Sequence, residues 1–116
     1  MNNNFVYSDI VVVMLGPSAL DTALRTKELF PGSQLHAYNK EILVADVYIE
    51  NIAKHLAALY AKKKPIIAIC AAGIIIRCLS PYLNDKLVEP PVIAVSENGK
   101  NIVPLLDSLS KTKAIM

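Results

Sequence analysis

The sequence predicts a three-layer α/β domain with a mostly parallel sheet that finishes in a C-terminal antiparallel hairpin. Short, continuous apolar runs rich in β-branched residues recur along the chain, and such runs are typical of strands covered on both faces. Segments with helical periodicity separate them, and proline or glycine marks most boundaries. With 116 residues, of which 53% are hydrophobic and 19% charged, the chain has the size and composition of one globular domain, which we expect to span residues 1–116.

The first strand is predicted at Ile10–Leu15, a β-branched run that ends at Gly16. Ser18 and Asp21 have the spacing of a capping box, in which two side chains satisfy free N–H groups at a helix start. We therefore expect a helix to begin there and to end before the next Pro-Gly pair. A short second strand is predicted at Gln34–Tyr38.

The second helix is predicted from apolar residues that recur at three- and four-residue steps over Ile49–Tyr60. Asp46 is the expected cap of its start. The lysine run Lys62–Lys64 lies where positive charge complements the carbonyl end of the helix dipole, and Pro65 prevents continuation.

The second half of the chain predicts two more strands, a third helix and a hairpin. Ile66–Cys70 and Val92–Val95 are apolar strand candidates, and Ile74–Leu79 is predicted as a helix, although its β-branched run makes this the most ambiguous assignment. The segment Glu97–Lys100 contains an Asn-Gly turn that would pair the preceding strand with Asn101–Leu105. The resulting order, βαβαβαββ, predicts a Rossmann-like sheet with helices on both faces.

Charge and hydropathy narrow the classes of partner. The net charge is only +2, so the chain lacks the basic bias of a nucleic-acid-binding protein. Residues 62–116 hold 8 basic and 4 acidic side chains, which favours anionic small molecules. No apolar run is long enough to cross a bilayer and the first residues do not form a secretion signal, so we expect a cytoplasmic protein without membrane association.

The two cysteines, Cys70 and Cys78, match neither a CxxC redox motif nor a zinc knuckle, and we interpret them as buried free thiols. Cys70 has no assured base partner, so we do not expect a nucleophilic thiol. The two histidines, His36 and His55, lack metal-ligand spacing and are interpreted as surface residues. We therefore expect no metal site.

Ligands of open α/β sheets gather outside the carboxyl ends of the strands. Two turns of this sequence qualify, Leu15–Ser18 after the first strand and Cys70–Gly73 after the third, and both lead into helix starts that suit a phosphate or a carboxylate. Neither turn is a GxGxxG or Walker loop, so we expect no nucleotide cofactor. Close packing is the simpler explanation for a single glycine at either turn.

Arg77 is a charged residue inside an otherwise apolar run, so its guanidinium needs a carboxylate, a carbonyl or solvent. One interpretation is an ion pair with Asp85, Glu89 or Glu97, and the other is contact with a ligand. Asp85 and Lys86 could equally form a solvated surface pair. Glu97, at a hairpin turn, is expected to be exposed.

The order of motifs between Pro65 and Leu106 resembles the N-terminal domain of the cobalamin biosynthesis protein CbiG, especially the form fused ahead of precorrin-3B C-17 methyltransferase. The motifs are Ile-Cys-Ala-Ala-Gly-Ile-Ile-Ile-Arg, Ser-Pro-Tyr-Leu-Asn-Asp-Lys, Glu-Pro-Pro-Val-Ile-Ala-Val, Glu-Asn-Gly and Val-Pro-Leu-Leu. The earlier part of the chain is similar in layout. The specific part of the resemblance is the combination of Gly73, Arg77, Pro81, Asp85, Lys86, Pro90, Glu97 and Gly99.

The resemblance implies a role in corrin-ring assembly. CbiG-type proteins open a δ-lactone in cobalt-precorrin-5A with loss of acetaldehyde, and the fused relatives methylate precorrin-3B from S-adenosylmethionine. A polyanionic precorrin is the ligand that the resemblance implies, and Arg and Lys beside helix N-termini would suit its carboxylates, as they would those of any other multi-carboxylate ligand. The alternative is a non-catalytic module that docks on a separate corrin-pathway methyltransferase, or a truncated remnant. The ligand-binding residues implied are Gly16, Gly73, Arg77, Asp85, Lys86 and Glu97.

The sequence departs from the family pattern after Pro-Leu-Leu. The family usually continues with a Gly-His segment that ends in Gly-Ala-Asn, whereas this chain reads Asp-Ser-Leu-Ser-Lys-Thr at residues 107–112. The histidine that could supply an acid or base is therefore missing, and the sequence contains no complete catalytic constellation.

Overall fold

A computed structural model of the chain describes residues 9–82 and 90–106. It contains a six-stranded sheet and three α-helices, which confirms the predicted α/β class. The elements in chain order are β1 (Val11–Met14), α1 (Leu20–Leu29), β2 (Gln34–Ala37), β3 (Val47–Tyr48), α2 (Ile52–Ala61), β4 (Ile66–Ile69), α3 (Ala72–Leu79), β5 (Val92–Val95) and β6 (Ile102–Leu106). No helix among these is long and apolar enough to span a membrane.

The strands are arranged in the order β3-β2-β1-β4-β5-β6. The first five are parallel, and β6 is antiparallel to β5, so the predicted hairpin is confirmed. The last residues of β1, β2, β4 and β5 are in register, which brings the loops after these strands to one edge. The chain leaves β1 toward one side of the sheet and later returns to its other side through β4, so the strand order reverses between β1 and β4.

The central strands are buried on both faces, as their continuous apolar runs predict. Alternate side chains point to opposite faces of each strand. On one face α1 packs against a cluster that includes Val12, Met14, Ile67, Ile69 and Ile93. On the other face α2 and α3 pack against a cluster that includes Val11, Val13, Ile66, Ala68 and Val92. The sheet with its two helical layers is the predicted three-layer arrangement.

The most ambiguous prediction, a helix at Ile74–Leu79, is confirmed by α3. The helix is buried on one side only, because Ile75 and Leu79 enter the core while Ile76 and Arg77 are exposed. The β-branched run therefore supplies both faces of the helix.

Both predicted helix caps are wrong. A 3₁₀ turn at Pro17–Ala19 precedes α1, and no side chain caps α1, because the Ser18 hydroxyl is engaged elsewhere. Asn51, not Asp46, caps α2, and its Oδ1 accepts a hydrogen bond from the Lys54 N–H at 3.0 Å.

Asp46 instead forms hydrogen bonds that hold the short strand β3 against β2. This strand was not predicted from the sequence. The Asp46 carboxylate accepts hydrogen bonds from the Leu35 N–H at 2.8 Å and from Lys27 Nζ at 3.0 Å. These two donors, the backbone one first, lower the pKa of Asp46. The Asp46 N–H also donates to the Leu35 carbonyl at 2.8 Å, so the pairing of the two strands begins at this residue.

His36 is buried, which contradicts its interpretation as a surface residue. It lies on the face of β2 that α2 covers, and its Nδ1 is 2.7 Å from Nε2 of the half-buried His55. Its Nε2 is 3.0 Å from Oε1 of Gln34. Burial, followed by the nearby His55, lowers the pKa of His36 to about 4. Burial and then Lys62 also lower the pKa of His55.

Helix α2 ends in a Schellman motif around Lys63, a non-glycine residue with a φ of 61°. The Lys63 N–H donates to the Tyr60 carbonyl at 3.0 Å and the Lys64 N–H donates to the Leu59 carbonyl at 3.1 Å. Because glycine adopts this backbone without strain, we expect Lys63→Gly to raise the free energy of unfolding in urea by about 0.5–1 kcal/mol. The control is Lys62→Gly, at a φ of −83°, which should give no gain. A loss of stability in Lys63→Gly would contradict the prediction.

Candidate functional site

A groove of about 700 Å³ lies where the strand order reverses, at the carboxyl ends of β1, β4 and β5. Ligands of doubly wound sheets bind at this position, because the loops there diverge to opposite faces and leave a crevice. The residues that line the groove are Leu15, Cys70, Ala71, Ala72, Ile74, Ala94, Ser96, Glu97, Asn98, Asn101 and Val103.

The wall formed by β4 and α3 is the small-residue turn predicted from the sequence. Ala71 and Ala72 line it. The N–H groups of Ala72 and Gly73 have no acceptor within α3, whereas the Ile74 N–H donates to the Ala71 carbonyl at 3.1 Å. A Cβ at Gly73 would meet no atom within 4 Å. Close packing around its Cα therefore does not explain this glycine.

Cys70 lies at the floor of the groove and is buried, while Cys78 is half-buried. Burial, with smaller effects of Cys78 and Glu97, raises the pKa of the Cys70 thiol to about 11. The thiol therefore stays protonated at neutral pH.

Glu97 joins the loop after β1 to the hairpin. The Ser18 hydroxyl donates to Oε1 of Glu97 at 2.7 Å, and a Cβ at Gly16 would lie 3.7 Å from Oε2. The Thr22 hydroxyl donates to the carbonyl of Glu97, so the start of α1 also holds the backbone of this residue. Glu97 is exposed, as predicted.

The turn that contains Glu97 is held by several hydrogen bonds. The Gly99 N–H donates to the Ser96 carbonyl at 2.8 Å, and Gly99 has a φ of 79°, which glycine adopts without strain. Oδ1 of Asn98 accepts from the Ser96 hydroxyl at 2.7 Å and from the Lys100 N–H at 2.9 Å. The Asn-Gly signal thus predicts the hairpin, with Glu97 and Asn98 as the central residues of the turn.

A second groove of about 550 Å³ lies along the same edge of the sheet, on the other side of Leu15, which lines both grooves. Its other lining residues are Tyr38, Asn39, Lys40, Ile49 and Glu50. These residues, Lys40 in particular, were not predicted to contact a ligand, although the strand before them and the loop at Asn39 and Lys40 were predicted. The signal was nevertheless present, since the loop after any parallel strand reaches the same edge of the sheet.

The structure brings only part of the predicted site together. Glu97 lines the groove and its carboxylate is close to Gly16, while Gly73 directly follows the lining residue Ala72. Arg77 lies in the last turn of α3, about 7.5 Å further along the helix axis than Ala72. It is exposed and forms no ion pair or hydrogen bond with residues 9–82 or 90–106.

The suggested ion pair of Arg77 with Glu97 is not formed in the described part of the chain. The predicted residues Asp85 and Lys86, and the alternative partner Glu89, lie outside the described residues. Within the described ranges no three His, Cys, Asp or Glu side chains are grouped as a metal site.

The sequence matches a known protein family over half of its length. The family described as cobalamin synthesis G N-terminal aligns with residues 54–112. The chain is 25% identical over 105 residues to a cobalt-precorrin-5A hydrolase of Priestia megaterium, and 29% identical over 103 residues to one of Salmonella typhimurium. Each alignment covers 84% of this chain and 28% of the relative, so the chain spans less than a third of the length of these curated relatives.

The fold has a solved counterpart in a cobalamin biosynthesis protein G homolog from Sulfolobus solfataricus. The TM-score is 0.62 at 14% sequence identity, over 89% of this chain and 30% of that chain. At this identity the likeness concerns the fold, and it agrees with the mixed six-stranded sheet. Because the family match covers half of the sequence and includes α3 and the hairpin, the chain belongs to the N-terminal domain family of the cobalamin synthesis protein CbiG.

Proposed function

We propose that this domain binds a corrin-ring intermediate at the rim of the sheet formed by the two adjacent grooves on either side of Leu15, as part of a cobalt-precorrin-5A hydrolase or as an accessory to one. The observation that carries the proposal is the position of the larger groove at the reversal of strand order, with the second groove continuing it across Leu15. Six strands about 4.8 Å apart give an edge of roughly 24 Å, which is long enough for a large flat macrocycle.

The chemistry of the rim suits a ring with carboxylate side chains. The apolar side chains of Leu15, Ile74 and Val103 offer a surface for the face of the macrocycle. The N–H groups of Ala72 and Gly73 at the start of α3 and the ammonium of Lys40 can bind peripheral carboxylates. Glu97 repels carboxylates, so it favours an orientation in which an uncharged part of the ring lies at this end of the groove.

The residues predicted from the sequence fall into three groups under this proposal. Glu97 would contact the ligand within the larger groove, and Gly16 and Gly73 would be next to the lining residues Leu15 and Ala72. Arg77 would reach only a side chain of the ligand that extends along α3. Asp85 and Lys86 stay predictions.

The proposal is tested by isothermal titration of the protein with cobyrinic acid, which carries free carboxylates, and with cobyric acid, in which all but one are amides. We expect micromolar binding of cobyrinic acid and about tenfold weaker binding of cobyric acid, because amidation removes the charge that the rim recognises. Absence of heat with both ligands at high micromolar concentration would contradict the proposal.

Gly73→Ala separates a binding role of this glycine from a structural one. Since a methyl group fits there, we expect the free energy of unfolding to rise by about 0.5–1 kcal/mol. Affinity for cobyrinic acid should fall at least about fivefold, because the methyl group blocks close approach to the helix N–H groups. The control is Lys54→Ala on the exposed side of α2, with unchanged affinity. Unchanged binding by Gly73→Ala would show that the ligand does not approach this turn.

Docking on a separate corrin-pathway methyltransferase is the second candidate. The observation that favours it is the edge strand β6, where Ile102 and Val103 are exposed. Co-purification with that enzyme tests it, and substitution of both residues by Thr should abolish the association without unfolding the domain. Association that survives this double substitution would exclude docking through β6.

A further inference from the structure

Glu97 is the candidate acid–base group in the larger groove, by elimination among its lining residues. Only two of these have ionisable side chains, Cys70 and Glu97. The Cys70 thiol is protonated at neutral pH, since burial raises its pKa to about 11. The His36–His55 pair is not among the residues that line either groove. A reaction that needs a base at this position therefore has Glu97 to use.

The carboxylate of Glu97 is held in place on one side and open on the other. Oε1 accepts the Ser18 hydroxyl at 2.7 Å, and the backbone is held by the Thr22 hydroxyl and by the turn that Gly99 closes. Oε2 lies over Gly16 and accepts no hydrogen bond from the described residues. A positioned carboxylate with one unused oxygen at a groove wall can accept a proton from a water molecule.

We propose that Glu97 is the general base of a hydrolytic ring opening at this groove, with Ser18 as its positioning residue. This inference rests on the proposed function. The curated relatives are hydrolases, and the lactone opening that the family resemblance implies adds water across an ester bond, a step for which a carboxylate can act as general base.

The proton balance closes within the groove. Oε2 of Glu97 takes a proton from water while the water oxygen forms a bond to the ester carbonyl carbon. The bond from that carbon to the ring oxygen then breaks, and the departing oxygen receives the proton from Glu97. The products are a hydroxyl group and a carboxylic acid, which ionises into solvent, and Glu97 returns to its carboxylate form.

The test measures turnover of cobalt-precorrin-5A in H₂¹⁸O, with mass spectrometry of the product and parallel titration of cobyrinic acid. We expect wild type to incorporate one ¹⁸O atom into the new carboxyl group. Glu97→Gln should lower kcat by about 10²- to 10⁴-fold while it still binds cobyrinic acid. The matched control is Glu28→Gln near the far end of α1, which should leave turnover unchanged.

Ser18→Ala should lower kcat about tenfold with KM unchanged, because the base loses one hydrogen bond, and Ser18→Thr should restore most of the rate. Loss of all turnover in Ser18→Ala would overturn the assignment and favour the Ser18 oxygen as a nucleophile.

The outcomes separate this inference from the proposed function. Wild type that binds cobyrinic acid but gives no ring opening, or Glu97→Gln that keeps the wild-type rate, overturns the role of Glu97 and leaves the binding proposal intact. Wild type that binds neither corrinoid nor substrate overturns both.

Discussion

Lowering the pH from 7 to 4 is expected to reduce the free energy of unfolding by roughly 2–3 kcal/mol through His36 alone. Burial holds the pKa of this histidine near 4 in the folded protein, against 6.5 ordinarily. The unfolded chain thus binds a proton at a pH where the folded protein does not. Stability is fully present above pH 6.5, falls as the pH drops toward about 4, and levels off below that value.

The groups around His36 and His55 modify the pH dependence of stability. His55, whose pKa is also lowered, adds to the loss of stability at low pH. Asp46 reduces this loss, because it raises the pKa of His36. The carboxyl of Asp46 itself has a pKa below 3.8, so its own contribution is lost only at still lower pH. As the pH falls, stability is therefore lost through the histidines before it is lost through Asp46.

Urea unfolding at intervals between pH 7.5 and pH 3.5 measures the profile. In His36→Leu, most of the pH dependence between pH 6.5 and 4 should vanish. A slope as steep as that of wild type would show that other groups cause it.

Ile75→Ala is expected to lower the free energy of unfolding by about 3–4 kcal/mol, because it leaves a cavity in the core between α3 and the sheet. Ile75 is 0% exposed and packs with Leu56, Leu79 and Val92. The measurement is the urea midpoint and its slope at pH 7.

Ile76→Ala is the matched control, since it makes the same chemical change one residue later. Ile76 is 51% exposed, so its loss of burial is small and the higher helix propensity of alanine offsets part of it. We expect a change of at most about 0.5 kcal/mol. Equal losses in the two variants would mean that α3 is rotated relative to the sheet in solution.

The Ile74–Ile76 run illustrates how far the sequence predicts the fold. Its length and position between two strands predict a helix, but three consecutive isoleucines contain no period that says which of them is buried. Continuous apolar strands are easier to recognise, because burial on both faces requires no alternation. The two-residue strand β3 has no such pattern and exists because Asp46 bonds to the backbone of Leu35.

The site was predictable where a general rule of topology applies and not where distant side chains meet. Gly16 and Gly73 follow strands that the rule for open sheets brings to one edge. The contact of Ser18 with Glu97 joins residues 79 apart in sequence, and nothing local to either one indicates it. The spacing of His36 and His55 likewise predicts no contact, since it depends on how α2 crosses β2.

Leu15, at the boundary of the two grooves, has a consequence for ligand selection by size. Because it lines both grooves, under the proposed function only a molecule broad enough to extend past it on both sides would make contacts in the two grooves. A single pyrrole, or any compact dicarboxylate, would occupy one groove and forgo half of the available contacts. Discrimination against such early precursors would then follow from breadth alone, without any group that recognises them.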